Sequence, residues 1–85
     1  MINPNYTVDY FNIGDEVFYV PNHAVEEYAI LISTDYPQWR FRKVERGIVK
    51  SKNDRFVFVH YYNGDELEET AKATSPTDLV IWKKS

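Results

Sequence analysis

A chain of 85 residues is one small domain, and a domain of that size buries only roughly 60–65% of its unfolded surface, so its core has to be efficient. The composition supplies large apolar groups, with 44% hydrophobic residues and 16% aromatic ones. The absence of cysteine excludes disulfides, thiolate metal sites and thiol nucleophiles, and the net charge of −3 argues against a globally basic nucleic-acid binder.

No apolar run approaches the ~18 residues of a membrane span. The N-terminal "MINPNYTVDYF" has neither the basic nor the apolar region of a signal peptide, so a cytoplasmic protein is expected.

In chain order, Gly14-Asp15 reads as a turn ahead of a short strand, Glu16 to Val20, stopped by Pro21. Alternation puts Val17 and Tyr19 on one face and Phe18 and Val20 on the other. The segment "NHAVEEYAILIS" fits two readings. Val25, Tyr28, Ala29 and Ile32 match a helical stripe, with Asn22 as cap and Glu26 and Glu27 near the positive end. "YAILIS" also fits a buried strand, although the helix is preferred.

"WRFRKVERGIVKSK" alternates from its start, with Trp39, Phe41 and Lys43 on one face and Arg40, Arg42 and Val44 on the other. Gly47 inside this pattern predicts a bulge or sharp bend. After a tight turn at "KNDR", "RFVFVHYY" carries apolar residues on both faces and reads as a central strand. Asn63-Gly64 signals a hairpin. "ELEETAKAT" is a polar edge strand. Ser75 caps a turn with Pro76 at its first position, and Leu79 to Trp82 forms the last strand.

The expected fold is therefore mainly β: a small five-stranded SH3-like barrel spanning residues 1–85, with a short helix in the long first connection and one 3₁₀ turn before the last strand. A five-stranded OB-type barrel is the alternative. Its helix belongs between strands three and four, where this chain has only Asn63-Gly64.

Charge is laid out in blocks. Residues 1–38 hold six acids and no Lys or Arg, whereas Trp39 to Arg55 hold seven of the ten basic residues. Residues 56–70 are acidic again. Basic residues interleaved with aromatics suit a binding surface, so Trp39, Arg40, Arg42, Lys43, Arg46 and Lys50 are the candidate partner-contacting residues. The bland reading places Trp39 and Phe41 in the core and leaves the arginines as a solvated face. Ion pairing with the acidic blocks is a third option, worth only about 0–1 kcal/mol per exposed pair.

Tyr19, Tyr36 and Tyr62 are candidates for an aromatic pocket that could hold a cation, although packing alone accounts for most of the tyrosines. Tyr61 and Tyr62 point to opposite faces, so at most one of them joins a given pocket. His60 is expected to end a core strand half-buried, and His23 to fix its loop by a hydrogen bond or to touch a ligand. Nothing resembles a phosphate-binding loop, a nucleophile elbow or metal-ligand spacing, and Glu68 and Glu69 point apart. No catalysis, cofactor or metal is therefore expected.

Three stretches carry a resemblance: "GDEVFYVPNHA", "ERGIVKSKNDRFVFVHYYNGDE" and "SPTDLVIW". Tyr19, Pro21, His23 and Ala24, then Glu45, Gly47, Val49 and Ser51, then Val57, Phe58 and Val59, and finally Pro76, Asp78 and Leu79 resemble a group of short phage and prophage proteins. The stretch Val25 to Val44 is longer here. More loosely, the chain is similar to the Tudor, chromo-barrel and KOW domains, which bind peptides or nucleic acids. The expectation is a non-catalytic accessory module, a monomer or weak dimer, that contacts a host protein through the Trp39–Lys43 strand and the long 23–38 connection; the resemblance implies a phage origin and with it the host cytoplasm. The alternative is a nucleic-acid-binding module using Arg40, Arg42, Lys43, Arg46, Lys50, Lys52 and Arg55.

Overall fold

The computed structural model describes residues 1–33 and 42–85. Six antiparallel strands form one open sheet: β1 (Glu16–Tyr19), β2 (Glu45–Lys52), β3 (Val57–Asn63), β4 (Glu66–Leu67), β5 (Lys72–Thr74) and β6 (Leu79–Lys83). The order is β4-β3-β2-β1-β6, with β5 also paired to β3. One helix, α1 (Val25–Ser33), follows directly on a 3₁₀ turn at Asn22–Ala24. No helix among the described residues is long and apolar enough to cross a membrane.

The sheet buries both faces, and the alternation along β1 shows why. Val17 joins Phe11, Val49, Val57, Val59, Tyr61 and Leu79 in the main core, with Tyr19 packed against it. Phe18 and Val20 point the other way and form a second cluster with Ala24 and Val44. Helix α1 covers that second cluster with Tyr28 and Leu31. The helical reading of residues 22–33 therefore holds, but its buried face differs from the expected stripe. Val25 is 42% exposed and Ile32 65% exposed. The inward positions are Tyr28 and Leu31, three apart, because the helix continues from a buried Ala24. Asn22 makes no helix cap; its Oδ1 accepts a hydrogen bond from the N-terminal ammonium.

Two strand boundaries differ from expectation for identifiable reasons. The strand expected from Trp39 begins, among the described residues, at Glu45. At Lys43 and Val44 the carboxylate of Glu27 takes the place of a neighbouring strand, accepting their backbone N–H groups at 2.9 and 3.1 Å. The expected single strand "ELEETAKAT" splits into β4 and β5 along one edge of β3, so the sheet has six strands and not five. Between them Glu68 keeps contact with β3: its N–H donates to the Tyr61 carbonyl at 2.8 Å, and its carbonyl lies 2.8 Å from His60 Nδ1.

Gly47 is not a bulge. It pairs regularly with Val17 on one side and Tyr61 on the other. A Cβ at this position would lie 2.5 Å from Val59 Cγ1, 2.7 Å from the His60 carbonyl oxygen and 3.0 Å from the Tyr61 ring. The glycine is there to let those groups approach. The irregularity of β2 falls instead between Val49 and Ser51, at Lys50. At the hairpin the central residues are Gly64 and Asp65, since Asn63 pairs with Glu66. Positive φ occurs at Gly64 (67°) and, among the described residues, at no non-glycine residue, so Asp65 is not positive and the turn has the sign pattern of type II′.

Candidate functional site

Among the described residues, the cations of the basic stretch do not converge. Trp39 and Arg40, with Tyr36, lie outside the described residues. Arg42 and Lys43 are exposed just ahead of β2. Arg46, paired across to Phe18, sits on the helix-covered side of the sheet, its guanidinium 4.0 Å from the Tyr62 ring centroid. Lys50 is exposed at the irregularity, and Arg55 lies in the turn at the far end. Lys52 is committed to structure, donating to the carbonyls of Phe11 at 2.7 Å and Val8 at 3.3 Å. The run from Arg42 to Arg55 crosses the whole of β2, eight residues or roughly 25 Å at about 3.3 Å each, with successive side chains turned to opposite faces.

A concave site does form, at the end of the sheet where β1 stops and β2 starts. It has a volume of about 200 Å³ and is lined by Tyr19, Glu45 and Tyr61, and by Lys72 to Ser75 together with Asp78. β1, β2, β3 and the 3₁₀ turn each deliver one group, and β5 delivers three. Tyr19 is the last residue of β1, paired with Glu45 on one side and Leu79 on the other. Tyr61 faces inward from β3, opposite the side-chain gap at Gly47. Asp78 ends the 3₁₀ turn Pro76–Asp78, whose backbone is held by the Asp78 N–H to Ser75 carbonyl bond (3.1 Å) and by Val20 N–H donating to the Asp78 carbonyl (2.7 Å).

The two tyrosine rings are 6.0 Å apart and tilted by 59°. Tyr61 is 3% exposed and its hydroxyl is 2.7 Å from Thr74 Oγ1. Thr74 Oγ1 itself donates to the Lys72 carbonyl at 3.2 Å, so Tyr61 is the donor in the pair. Burial pushes the Tyr61 phenol well above its ordinary range; the hydrogen bond with Thr74 offsets part of this, and Glu45, Tyr19 and Asp78 add to the rise. Tyr19 is raised by burial, then by Asp78 and Glu45. Both phenols thus stand in a negative field set by the same two carboxylates. Neither carboxylate has a hydrogen-bonding or ion-pair partner among the described residues. The nearby Lys72 ammonium is drawn toward Glu68 at 3.8 Å.

The expected aromatic pocket was Tyr19, Tyr36 and Tyr62. The structure places Tyr19 in the pocket with Tyr61, while Tyr62 lies on the opposite face beneath Arg46. Glu45, Asp78 and Thr74 were not anticipated as site residues. His23 is exposed in its 3₁₀ turn with no hydrogen bond among the described residues, so it does not fix the loop. That role falls to the Ala24 N–H to Pro21 carbonyl bond at 2.8 Å. Among the described residues no three His, Asp or Glu side chains gather as a metal-holding group. No family model, no curated protein and no solved structure matches this chain.

Proposed function

We propose that this chain is a non-catalytic binding module whose six strands wrap as a small SH3-like barrel, and that it contacts a protein partner at the end of the sheet bearing the Tyr19–Tyr61 pocket. The strand order supports the barrel reading. A meander β1-β2-β3, an interrupted edge strand, one 3₁₀ turn and a last strand returning to β1 is the SH3-like sequence of elements. The shared core of β6, β1, β2 and β3 residues supports it as well.

The observation that carries the function is the pocket itself, a concavity with two rings and two unpaired carboxylates converging on it. Arg42 and Lys43 lie at the same end, three and two residues before Glu45, so a partner seated on the pocket also meets part of the expected basic surface. The resemblance to short phage proteins is consistent with an accessory role of this kind.

The test is capture from a nuclease-treated extract of the native cell, comparing the unaltered protein with the double variant Glu45→Gln/Asp78→Asn. A protein retained by the first and lost by the second supports the reading. Equal capture by both would show that the partner sits elsewhere.

The nucleic-acid reading rests on the exposed Arg42, Lys43, Lys50 and Arg55. The dispersal of these cations and the commitment of Lys52 to backbone carbonyls weigh against it.

A further inference from the structure

Building on the pocket as the partner site, we infer that its ligand is the guanidinium of an arginine side chain presented by the partner. The sign of the ligand follows from the walls. Glu45 and Asp78 give the pocket two negative charges, and Lys72, the cation among its described lining residues, leans toward Glu68 at 3.8 Å. An anion entering this site would meet uncompensated repulsion, and a neutral group would gain nothing from the exposed Glu45 and would cover the half-buried Asp78 without giving it a partner.

The kind of cation follows from the mixture of walls. A site made of rings alone suits a fully methylated ammonium, which has no N–H to give. Here two rings, 6.0 Å apart, share the site with two carboxylates that accept nothing else among the described residues. Such a site is satisfied only by a ligand that offers a flat face and several donors at once. A guanidinium carries five N–H groups in one plane and can lay that plane on a tyrosine while its edges reach two acceptors. A lysine ammonium is a compact, strongly hydrated charge and gains less from the ring.

The walls also do not collapse onto their own donors. The Thr74 hydroxyl is occupied by Tyr61 and the Lys72 carbonyl, and Ser75 Oγ pairs with Thr77 Oγ1 at 2.8 Å. The carboxylates are therefore left for an external group.

The probe is N-acetyl-arginine amide, followed by amide and aromatic-ring NMR shifts of the full chain. Saturable shifts at Tyr19, Tyr61, Thr74 and Ser75 are expected, with a dissociation constant on the order of millimolar for so small a fragment. The neutral isostere N-acetyl-citrulline amide should bind at least about tenfold more weakly, and Asp78→Asn should weaken the arginine probe about fivefold. Free arginine, which carries the charged ends of a metabolite, should bind more weakly than the blocked compound. A reversal of that order would assign the pocket to a small molecule and overturn the protein source. Citrulline binding as well as arginine, or shifts lying outside the pocket, would overturn the guanidinium. In that case the loss of capture by Glu45→Gln/Asp78→Asn would still stand for the partner site, whereas arginine binding with unchanged capture would remove the partner site and keep the ligand.

Discussion

Replacing Gly47 by alanine tests whether this glycine is set by packing. The added Cβ would meet three groups, at 2.5 Å (Val59 Cγ1), 2.7 Å (the His60 carbonyl oxygen) and 3.0 Å (the Tyr61 ring). The valine methyl can rotate aside. The carbonyl belongs to the β2–β3 ladder and moves only if the strands part. Overpacking of this kind costs about 1–3 kcal/mol, and with backbone as one of the partners the upper end applies. The entropy lost by the unfolded chain on going from Gly to Ala returns about 0.4–1 kcal/mol. The net expectation is a loss of about 2 kcal/mol, or roughly 8–16 °C in melting temperature for a domain of this size. Urea unfolding followed by circular dichroism measures it, with the slope unchanged. The double variant Gly47→Ala/Val59→Ala removes the shortest contact, so it should cost less than the two single changes added together. Gly64→Ala is the control, since nothing lies within 4 Å and only its φ of 67° opposes a side chain. A Gly47→Ala loss below about 0.5 kcal/mol, or strict additivity with Val59→Ala, would refute the reasoning.

Further outcomes follow from single contacts. Asp15 is fully buried and accepts N–H bonds from Asn12 (2.8 Å) and Ser85 (2.9 Å). Asp15→Asn leaves one of these unmatched and should cost about 1.5–3 kcal/mol by urea unfolding, with loosened amide exchange at Ser85. Lys52→Met removes the donor to two carbonyls and should cost about 1–2 kcal/mol, with exchange rising first in the turn Val8–Tyr10. The unfolded Tyr61 phenol ionises near 10.0 while the folded one is held protonated. Above that pH the unfolded state binds fewer protons, so stability is level below it and falls as pH rises past it; Tyr61→Phe should flatten that alkaline limb in urea midpoints. A salt titration separates the partner classes, because engagement of about four phosphates would give a log–log slope near −3 to −4, and no such dependence is expected here.

Much of the fold was legible because period-2 alternation is strong in this chain. Val17 against Phe18, and Val57, Val59 and Tyr61 against Phe58, His60 and Tyr62, sort to opposite faces as the pattern requires. The turn at Pro76 and the edge character of residues 66–74 were legible from local chemistry. What the pattern could not reveal was pairing. The helix rotation depends on where Ala24 is anchored, and the late start of β2 depends on Glu27, 16 residues from Lys43, taking its N–H. The pocket was half legible. Alternation showed that Tyr61 and Tyr62 part ways, but the choice between them needed the Gly47 to Tyr61 register, which places a ring over a missing side chain. Glu45 and Asp78 are far apart in sequence and meet Tyr19 only through the two strands that flank β1. How the described part of the basic stretch is arranged was not legible for a related reason. Neighbours along a strand and through a turn share a segment without sharing a surface.

The most direct measurement places a photo-crosslinking residue at Lys72, on the pocket rim, and in a second protein at Asp54, in the turn at the opposite end of β2. Irradiated in the native cell and treated with nuclease, the Lys72 protein should yield a discrete protein adduct that is lost with Glu45→Gln/Asp78→Asn, and the Asp54 protein should yield none. An adduct formed from Asp54 alone, or a Lys72 adduct indifferent to the two carboxylates, would contradict a partner-binding pocket between Tyr19 and Tyr61.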